Sequence, residues 1–282
     1  MPSARCNRRI SAQSSTLITP SASPPRGQYS LGARGSVFRR HRHAYLRRSG
    51  LVLAHCTVDR LMRTLGLAGV VRGRRVRTTI PAKDGTRASD LLNRNFTTAA
   101  PNTVWVADFT YVRTWAGSVY VAFIVDVFAQ RIVSWNAAST RTTDLVLTWL
   151  RMGRWDRTRH GLVLPDGLIH HHDAGSQYTA LRFTEHLGLE SMAPSIGSVG
   201  DAYDSCLMES IIGHGKTECI RSGPFVKGPL KTVSDVEYSI MAWLDWYNTR
   251  WLHSSLGNIP PAEFEAAHYD QITASRSEAQ PV

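Results

Sequence analysis

Cysteine is scarce in this sequence, and the few present are not arranged as a pair of metal or disulfide ligands. The four residues Cys6, Cys56, Cys206 and Cys219 are scattered along the 282 residues, and no Cys-x-x-Cys pair occurs. This argues against a zinc module and favours a reducing compartment, so we expect a cytoplasmic protein. The sequence also lacks the roughly 18 consecutive apolar residues of a transmembrane helix, so no membrane span is expected.

Acidic residues are nearly absent from the first 100 residues, which hold 19 Lys and Arg against 3 Asp and Glu. The remaining residues hold 14 basic and 19 acidic side chains, so the net charge of +11 comes from the front of the chain. This asymmetry predicts a segment that binds a polyanion and a separate acidic site. Nucleic acid is the favoured polyanion, because no basic stretch carries the clear apolar face that a membrane surface requires.

Composition divides the chain into five parts. Residues 1–35 are rich in Ser, Arg, Pro and Gly without apolar periodicity, which indicates a disordered or out-of-frame segment. Two short helices are predicted in residues 36–71, followed by a basic linker at 72–100 and a large core at 101–268. Residues 269–282 are expected to form a flexible tail.

The second predicted N-terminal helix, residues 57–66, is amphipathic. Thr57 is its predicted cap, and its apolar stripe comprises Val58, Leu61, Met62 and Leu65. Two short helices with a glycine between them are typical of a helix-turn-helix, although a plain helical hairpin fits equally well. The basic side chains here are DNA-binding candidates, or else a solvated charge run: Arg60, Arg63, Arg72, Arg74, Arg75 and Arg77.

From residue 102 the pattern changes to strands. Three apolar runs at 104–112, 119–128 and 131–135 are joined by short links, which predicts an antiparallel meander. Helices are then predicted at about 142–155, 179–188, 204–220 and 233–247, with a short buried strand at 168–170. This order predicts an α/β fold with a mixed sheet and helices on both of its faces.

Three acidic residues stand out in this core. Asp108 lies within an apolar strand, where an ionised carboxylate is costly unless it is paired or binds a metal. Asp173 directly follows a strand, a usual place for ligand sites in α/β sheets. Glu209 lies on a helix among apolar neighbours. The three consecutive histidines before Asp173 cannot all face one metal, because strand side chains alternate; we expect one to be buried and two to lie near the rim, with a zinc tract as the minor alternative.

A cluster of Asp108, Asp173 and Glu209 would repel itself unless cations neutralise it. Oxygen ligands suit hard cations, so we expect Mg²⁺ or Mn²⁺. Two such ions roughly 3.5–4 Å apart can activate a water or a 3′-hydroxyl and stabilise the leaving oxygen of a phosphodiester. The basic N-terminal third would then hold the DNA.

Three sequence blocks of the core read Val-Trp-Val-Ala-Asp-Phe-Thr-Tyr-Val at 104–112, His-His-His-Asp-Ala-Gly-Ser-Gln-Tyr at 170–178, and Gly-Asp-Ala-Tyr-Asp-Ser-Cys-Leu-Met-Glu-Ser at 200–210. These blocks resemble those of bacterial insertion-sequence transposases of the IS-three group, in particular their second-reading-frame protein. Between Asp173 and Glu209 lie 35 residues, as in that family's Asp-Asp-Glu triad. Lys216 falls where the family keeps a basic residue near DNA, and the closing signature contains Arg250. The likeness runs from about 45 to 268.

The resemblance implies a ribonuclease-H-like fold with a retroviral-integrase-type core and an N-terminal helix-turn-helix. It also implies metal-dependent DNA strand cleavage and transfer, with Asp108, Asp173 and Glu209 as metal ligands. The implied partners are transposon ends and target DNA, further copies of the chain in a multimer on DNA, and a protein from an upstream reading frame.

The chain departs from the family pattern at several positions around the triad. His172 and Ala174 replace Ser and Arg, Ser205 replaces Asn, and Trp251 replaces Arg. Gly215 lowers helix stability by about 0.5–1 kcal/mol. We therefore expect a degenerate copy with reduced or no activity. Two alternatives remain open, namely a ribonuclease-H-like nuclease and a non-catalytic DNA-binding remnant.

Overall fold

A computed structural model describes most of the region that the sequence assigns to folded structure. The described residues are 39–67, 89–93, 95–173, 178, 181–197, 206–221, 224–226 and 228–278. They all belong to one compact unit, Leu31–Val282. The segment 1–35, most of the linker 72–100 and its arginines Arg72, Arg74, Arg75 and Arg77 lie outside the described residues.

A five-stranded mixed sheet forms the centre of the fold. Its strands are β1 (Val104–Thr114), β2 (Gly117–Asp126), β3 (Arg131–Ala138), β4 (Leu168–His172) and β5 (Met192–Ile196), in the order β3-β2-β1-β4-β5. The first three strands pair antiparallel, while β4 pairs parallel with both β1 and β5. The predicted meander and mixed sheet are therefore confirmed, and the arrangement is ribonuclease-H-like.

Helices precede the sheet in the chain, connect its last three strands and follow its last strand. They are α1 (Arg39–Arg48), α2 (His55–Thr64), α3 (Thr143–Arg159), α4 (Leu181–Leu189), α5 (Cys206–Gly215), α6 (Val233–Thr249) and α7 (Pro261–Glu278). A π-helical turn, Lys216–Arg221, continues directly from α5, and a short 3₁₀ helix, Ser254–Leu256, precedes α7. None of these helices is long and apolar enough to cross a membrane, as far as the described residues go.

The alternation of side chains along β1 builds a separate core on each face of the sheet. Val104 and Val106 pack into a cluster with residues of α5 and α6, including Trp243. Trp105 and Ala107 point the other way, into a cluster with residues of α3 and α4. Burial of both faces explains why the strand reads as a nearly continuous apolar run, and it confirms helices on both sides.

A buried ionic network attaches α7 to the sheet. Arg157 on α3 is 1% exposed and lies 2.7 Å from Glu265 on α7 and 3.4 Å from Asp126 at the end of β2. Arg131 also pairs with Glu265, and the backbone N–H of Asn102 donates to Asp126 at 2.6 Å. Because each buried charge has an opposite charge beside it, the network fixes the position of α7 on the core.

Three local expectations are wrong. Thr57 does not cap α2, because the helix begins at His55 with Ala54 as its cap residue. Only Val58 and Met62 of the predicted stripe are buried, whereas Leu61 and Leu65 are exposed, since a two-helix unit has little surface to bury them against. Residues 269–278, expected in a flexible tail, instead continue α7.

Candidate active site

Register in the sheet places Asp108 and Asp173 at neighbouring positions. The parallel pairing of β1 with β4 runs from Val104 opposite Ile169 to Ala107 opposite His172. Asp108 and Asp173 are the next residues on the two chains. Adjacent strands lie about 4.8 Å apart, and residues in register point to the same face of a sheet. The end of β4 therefore places Asp173 beside Asp108.

Glu209 reaches the same face from α5. Asp108 lies on the same face of β1 as Val104 and Val106, which belong to the core cluster that also contains Met208, Ile211 and Ile212 of α5. Glu209 lies in the first turn of α5, next to the fully buried Met208. The burial of this apolar helix face against β1 brings the carboxylate towards Asp108.

The electrostatics of Asp108 link all three acids. Burial raises the pKa of Asp108 from its ordinary value of 3.8 to about 7, and the negative charge of Asp173 is the next contribution in the same direction. The charge of Glu209 also raises this pKa. The N–H of Phe109, which donates to the Asp108 carboxylate at 2.7 Å, and the Lys216 ammonium both lower it. Asp173 and Glu209 thus both act on Asp108.

Their chemistry fits a hard divalent cation, because all three offer carboxylate oxygens to a site that carries excess negative charge. Their geometry is more open than a finished metal site. Within the part of the chain that the structure describes, no three His, Cys, Asp or Glu side chains are close enough to hold a metal ion together. A cation would have to draw the carboxylates of Asp108, Asp173 and Glu209 closer together.

Lys216 stands at the edge of this acidic group. It opens the π-helical turn after α5, and its Nζ lies 5.5 Å from the centre of the Tyr111 ring. Burial lowers the pKa of Lys216, as does the charge of Arg221, whereas the charge of Asp108 raises it. Single π-helical turns often occur at functional sites, and this one aims a cation at the strand that carries Asp108.

The histidine run before Asp173 is entirely buried, so the expectation of two histidines near the rim is wrong. His170, His171 and His172 are 0%, 3% and 2% exposed, because β4 extends through His172 and is covered by β5. His171 Nδ1 lies 2.9 Å from Ser195 Oγ, and His172 Nδ1 lies 2.8 Å from the carbonyl oxygen of Asp173. Burial lowers the pKa of both His170 and His172, which keeps their rings neutral.

Of the other predicted DNA-binding residues, the three that the structure describes lie elsewhere on the surface. Arg60 and Arg63 are exposed on α2, and Arg250 is exposed at the end of α6. The adjoining helix α1 packs against the C-terminal segment, where His41 contacts the Trp251 ring at 4.8 Å and Arg48 pairs with Glu263. Trp251 is itself buried, so the residue that stands where the family has Arg packs in the core.

Two residues near the acids were not predicted. Tyr178 is fully buried and stacks on His172 at 4.6 Å. Burial raises its pKa well above 10, and the charges of Asp173 and Asp108 add to this rise. The Arg141 guanidinium lies 4.6 Å from the centre of the Phe109 ring and lowers the pKa of Tyr178. Tyr178 lies in the block 170–178, but Arg141 follows β3 in a loop where the sequence carries no signal.

Comparison with known proteins assigns the chain to a family. Two models described as "Integrase core domain" match residues 98–202 and 190–261. The transposase for insertion sequence element IS629 from Shigella sonnei is 46% identical over 227 residues, which cover 80% of this chain and 73% of that protein. The chain belongs to the IS-three group of insertion-sequence transposases. The expected family is thereby confirmed.

The transposase has further relatives of similar closeness. A protein from Mycobacterium tuberculosis that is named for the transposase of insertion sequence element IS986/IS6110 is 46% identical over 226 residues, 80% of each chain. Among solved structures, the HTLV-2 integrase catalytic core domain in complex with magnesium is 15% identical, with a TM-score of 0.45, over 59% of this chain and 98% of that one. The relatives place the transposase among DNA-binding polynucleotidyl transferases that carry out transposition, as expected from the sequence.

Proposed function

We propose that Asp108, Asp173 and Glu209 are the catalytic residues of this transposase and that together they hold Mg²⁺ or Mn²⁺, as two ions. The observation that carries the proposal is the electrostatic effect of Asp173 and Glu209 on Asp108, whose pKa both acids raise. Hard cations prefer oxygen ligands, and ligand sites in α/β sheets lie at the carboxyl ends of strands such as β4. The 35-residue spacing between Asp173 and Glu209 agrees with the family triad.

Each residue has its own task in this proposal. When bound, the cations supply Lewis-acid activation of the attacking oxygen and stabilise the leaving oxygen. Asp108 is the fixed member, since the sheet holds its backbone and the N–H of Phe109 holds its carboxylate. Lys216, near Asp108, offers a cation for a DNA phosphate next to the reacting bond. No covalent protein–DNA intermediate is required.

Substitution of each acid by its amide tests the assignment. Asp108→Asn, Asp173→Asn and Glu209→Gln are each expected to abolish strand transfer of a labelled transposon end in Mn²⁺ while DNA binding in a mobility-shift assay persists. Asp245→Asn, at an exposed position on α6, is the matched control and should retain activity. Strand transfer by any of the three amide variants at the wild-type rate would refute the role of that residue.

The remaining assignments extend this proposal to DNA and assembly. Arg60, Arg63, Arg72, Arg74, Arg75, Arg77 and Arg250 are proposed phosphate contacts, supported by their charge and, where described, by their exposure. The protein would act as a multimer on transposon ends and target DNA, together with an upstream-frame partner, in the cytoplasm. Substitutions of these arginines should weaken DNA binding and its salt dependence without altering metal binding.

We also propose that the altered surroundings of the triad reduce turnover. His172, where the family has Ser, places a neutral buried ring against the Asp173 carbonyl and the Tyr178 ring. This packing restricts how far Asp173 can shift towards a cation. A donor-cleavage and strand-transfer assay in Mn²⁺ measures the turnover, and robust turnover would contradict the proposal.

A further inference from the structure

The π-helical turn that begins with Lys216 is anchored in the protein core by the three residues that follow this lysine. Thr217, Glu218 and Cys219 are all buried. A helix at the surface of a protein normally buries residues that are three or four positions apart, so three consecutive buried residues enclose most of this turn. The Thr217 hydroxyl and the Cys219 thiol donate to carbonyl oxygens four residues earlier, at 2.7 and 2.9 Å. Glu218, by contrast, bonds to a different helix.

Glu218 joins the turn to Trp243 of α6. The Glu218 carboxylate is 2% exposed, and the indole N–H of the fully buried Trp243 donates to its Oε2 at 2.9 Å. His214 Nδ1 lies 4.0 Å from the other carboxylate oxygen. The Trp243 ring also covers Gly215, where an added Cβ would lie 3.4 Å from the ring. Trp243 therefore contacts the chain on both sides of Lys216.

Trp243 also connects the turn to the strands that hold Asp108. Its ring meets the Phe123 ring of β2 edge-on, with the ring centres 6.3 Å apart. Phe123 is paired with Asp108 in the antiparallel register of β1 and β2, and paired residues share one face of a sheet. Phe123 and Trp243 both belong to the core on this face. A continuous line of contacts thus runs from the Asp108 strand pair through Trp243 to Glu218.

This position does not require a carboxylate for stability alone. A buried carboxylate is costly unless it is hydrogen-bonded, and apolar side chains of similar volume commonly serve as well or better in a core. What Glu218 adds over an apolar side chain is direction, because the bond to Trp243 is made in one orientation of the turn only. Lysine has a long flexible stem, so the place of its ammonium group depends on where the turn holds its backbone.

We propose that Glu218 is a positioning residue for strand transfer: its hydrogen bond with Trp243 holds the π-helical turn so that Lys216 reaches Asp108. This inference rests on the proposed function, because it takes Lys216 as a contact to the DNA phosphate at the reacting bond. Lys216 and Asp108 lie within electrostatic reach of each other, since the charge of each stabilises the ionised form of the other. Glu218 is buried and acts through Lys216.

The position of Lys216 can be measured without turnover, because the chain has only four lysines, namely Lys83, Lys216, Lys227 and Lys231. In the full chain with ¹³C-methylated lysines, Lys216→Arg identifies the NMR signal of Lys216. The nearby face of the Tyr111 ring, 5.5 Å from Nζ, should shift this signal upfield. Glu218→Ala should abolish the shift. Glu218→Gln should preserve it, since an amide oxygen can still accept the Trp243 N–H.

Two further variants complete this measurement. Trp243→Phe removes the N–H but keeps an aromatic ring, so it tests the same bond from its other end and should also abolish the upfield shift, even if Glu218→Ala does not fold. Glu265→Gln is the matched control, because Glu265 is a buried, charge-paired carboxylate on α7, away from the turn, and its loss should leave the signal in place. An unmoved signal in Glu218→Ala, or an equal displacement in Glu218→Gln or Glu265→Gln, would overturn the inference.

Strand transfer in Mn²⁺ relates this position to the reaction. Glu218→Ala should lower the rate about 10- to 100-fold, the scale of a misplacement by about 1 Å, whereas Glu218→Gln should stay near the wild-type rate. In a Lys216→Ala background, Glu218→Ala should lower the rate no further, because the two residues act as one unit. A further loss would overturn the inference. A wild-type rate in Lys216→Ala would refute the proposed role of Lys216 itself, and the lysine signals would still show whether Glu218 sets its position.

Discussion

Asp108→Asn should make the metal-free transposase more stable at pH 8, although it removes a proposed catalytic group. The pKa of Asp108 is raised to about 7 in the folded chain, while the unfolded chain has the ordinary value of 3.8. Between these values the folded state binds more protons than the unfolded state, so stability is highest below pH 4 and falls as the pH rises to 7. Asparagine imitates the protonated acid and removes this loss.

The expected magnitude follows from the difference in pKa. One pKa unit corresponds to about 1.4 kcal/mol, so ionised Asp108 lowers the free energy of unfolding by at most about 4 kcal/mol. The side chain is only half-buried, so the observed gain in Asp108→Asn should be about 2 to 4 kcal/mol at pH 8 and should vanish near pH 4. Asp126, whose pKa burial raises to about 6, titrates in both proteins and cancels in the comparison.

Urea unfolding of both proteins between pH 4 and pH 8, in the presence of a chelator, measures the difference. Added Mg²⁺ should then stabilise the wild type, by about 2.7 kcal/mol at a hundredfold excess over Kd, and leave Asp108→Asn nearly unchanged. A difference in stability that does not vary with pH, or a variant that is less stable than the wild type at pH 8, would refute the reasoning about Asp108.

Two further predictions concern the scaffold around the site. Glu265→Gln should lower the free energy of unfolding by about 3 to 5 kcal/mol, because it leaves the buried Arg157 without one of its counter-charges. Glu263→Gln is the control: it removes only an exposed pair with Arg48 and should lower the free energy of unfolding by less than about 1 kcal/mol. Equal effects of the two substitutions in urea unfolding would contradict the account. Gly215→Ala should stabilise the protein by about 0.5–1 kcal/mol, because alanine favours the helix more than glycine does. The added Cβ would meet the Trp243 ring at 3.4 Å, and a lowered unfolding midpoint would show that this contact is too tight.

Much of the fold follows from local patterns in the sequence. The apolar strand that carries Asp108, the short links after it and the strand before Asp173 predict the mixed sheet, because strand type and connection length limit how strands can pair. The nearness of Asp108 to Asp173 then follows from parallel register. The nearness of Glu209 is a prediction of the family resemblance, which the amphipathic face of α5 supports.

Other features depend on contacts that no local pattern records. The burial of His172 depends on its pairing with Ile196 of β5, a strand that lies beyond α4 in the chain. The helix α7 has charged and polar residues on all sides, and its attachment depends on Glu265 meeting Arg157 from α3. Arg141, Lys216 and Lys231 reach the rings of Phe109, Tyr111 and Trp115 from three separate parts of the chain, so these cation–π contacts become visible only in three dimensions.

The most direct test of the central claim is titration of the metal-free protein with Mn²⁺ in a calorimeter, which reports the proposed site without requiring turnover. We predict saturable binding by the wild type and by Asp245→Asn, and its loss in Asp108→Asn, Asp173→Asn and Glu209→Gln. Saturable binding of equal strength in the three amide variants would contradict the claim that these carboxylates hold the cation.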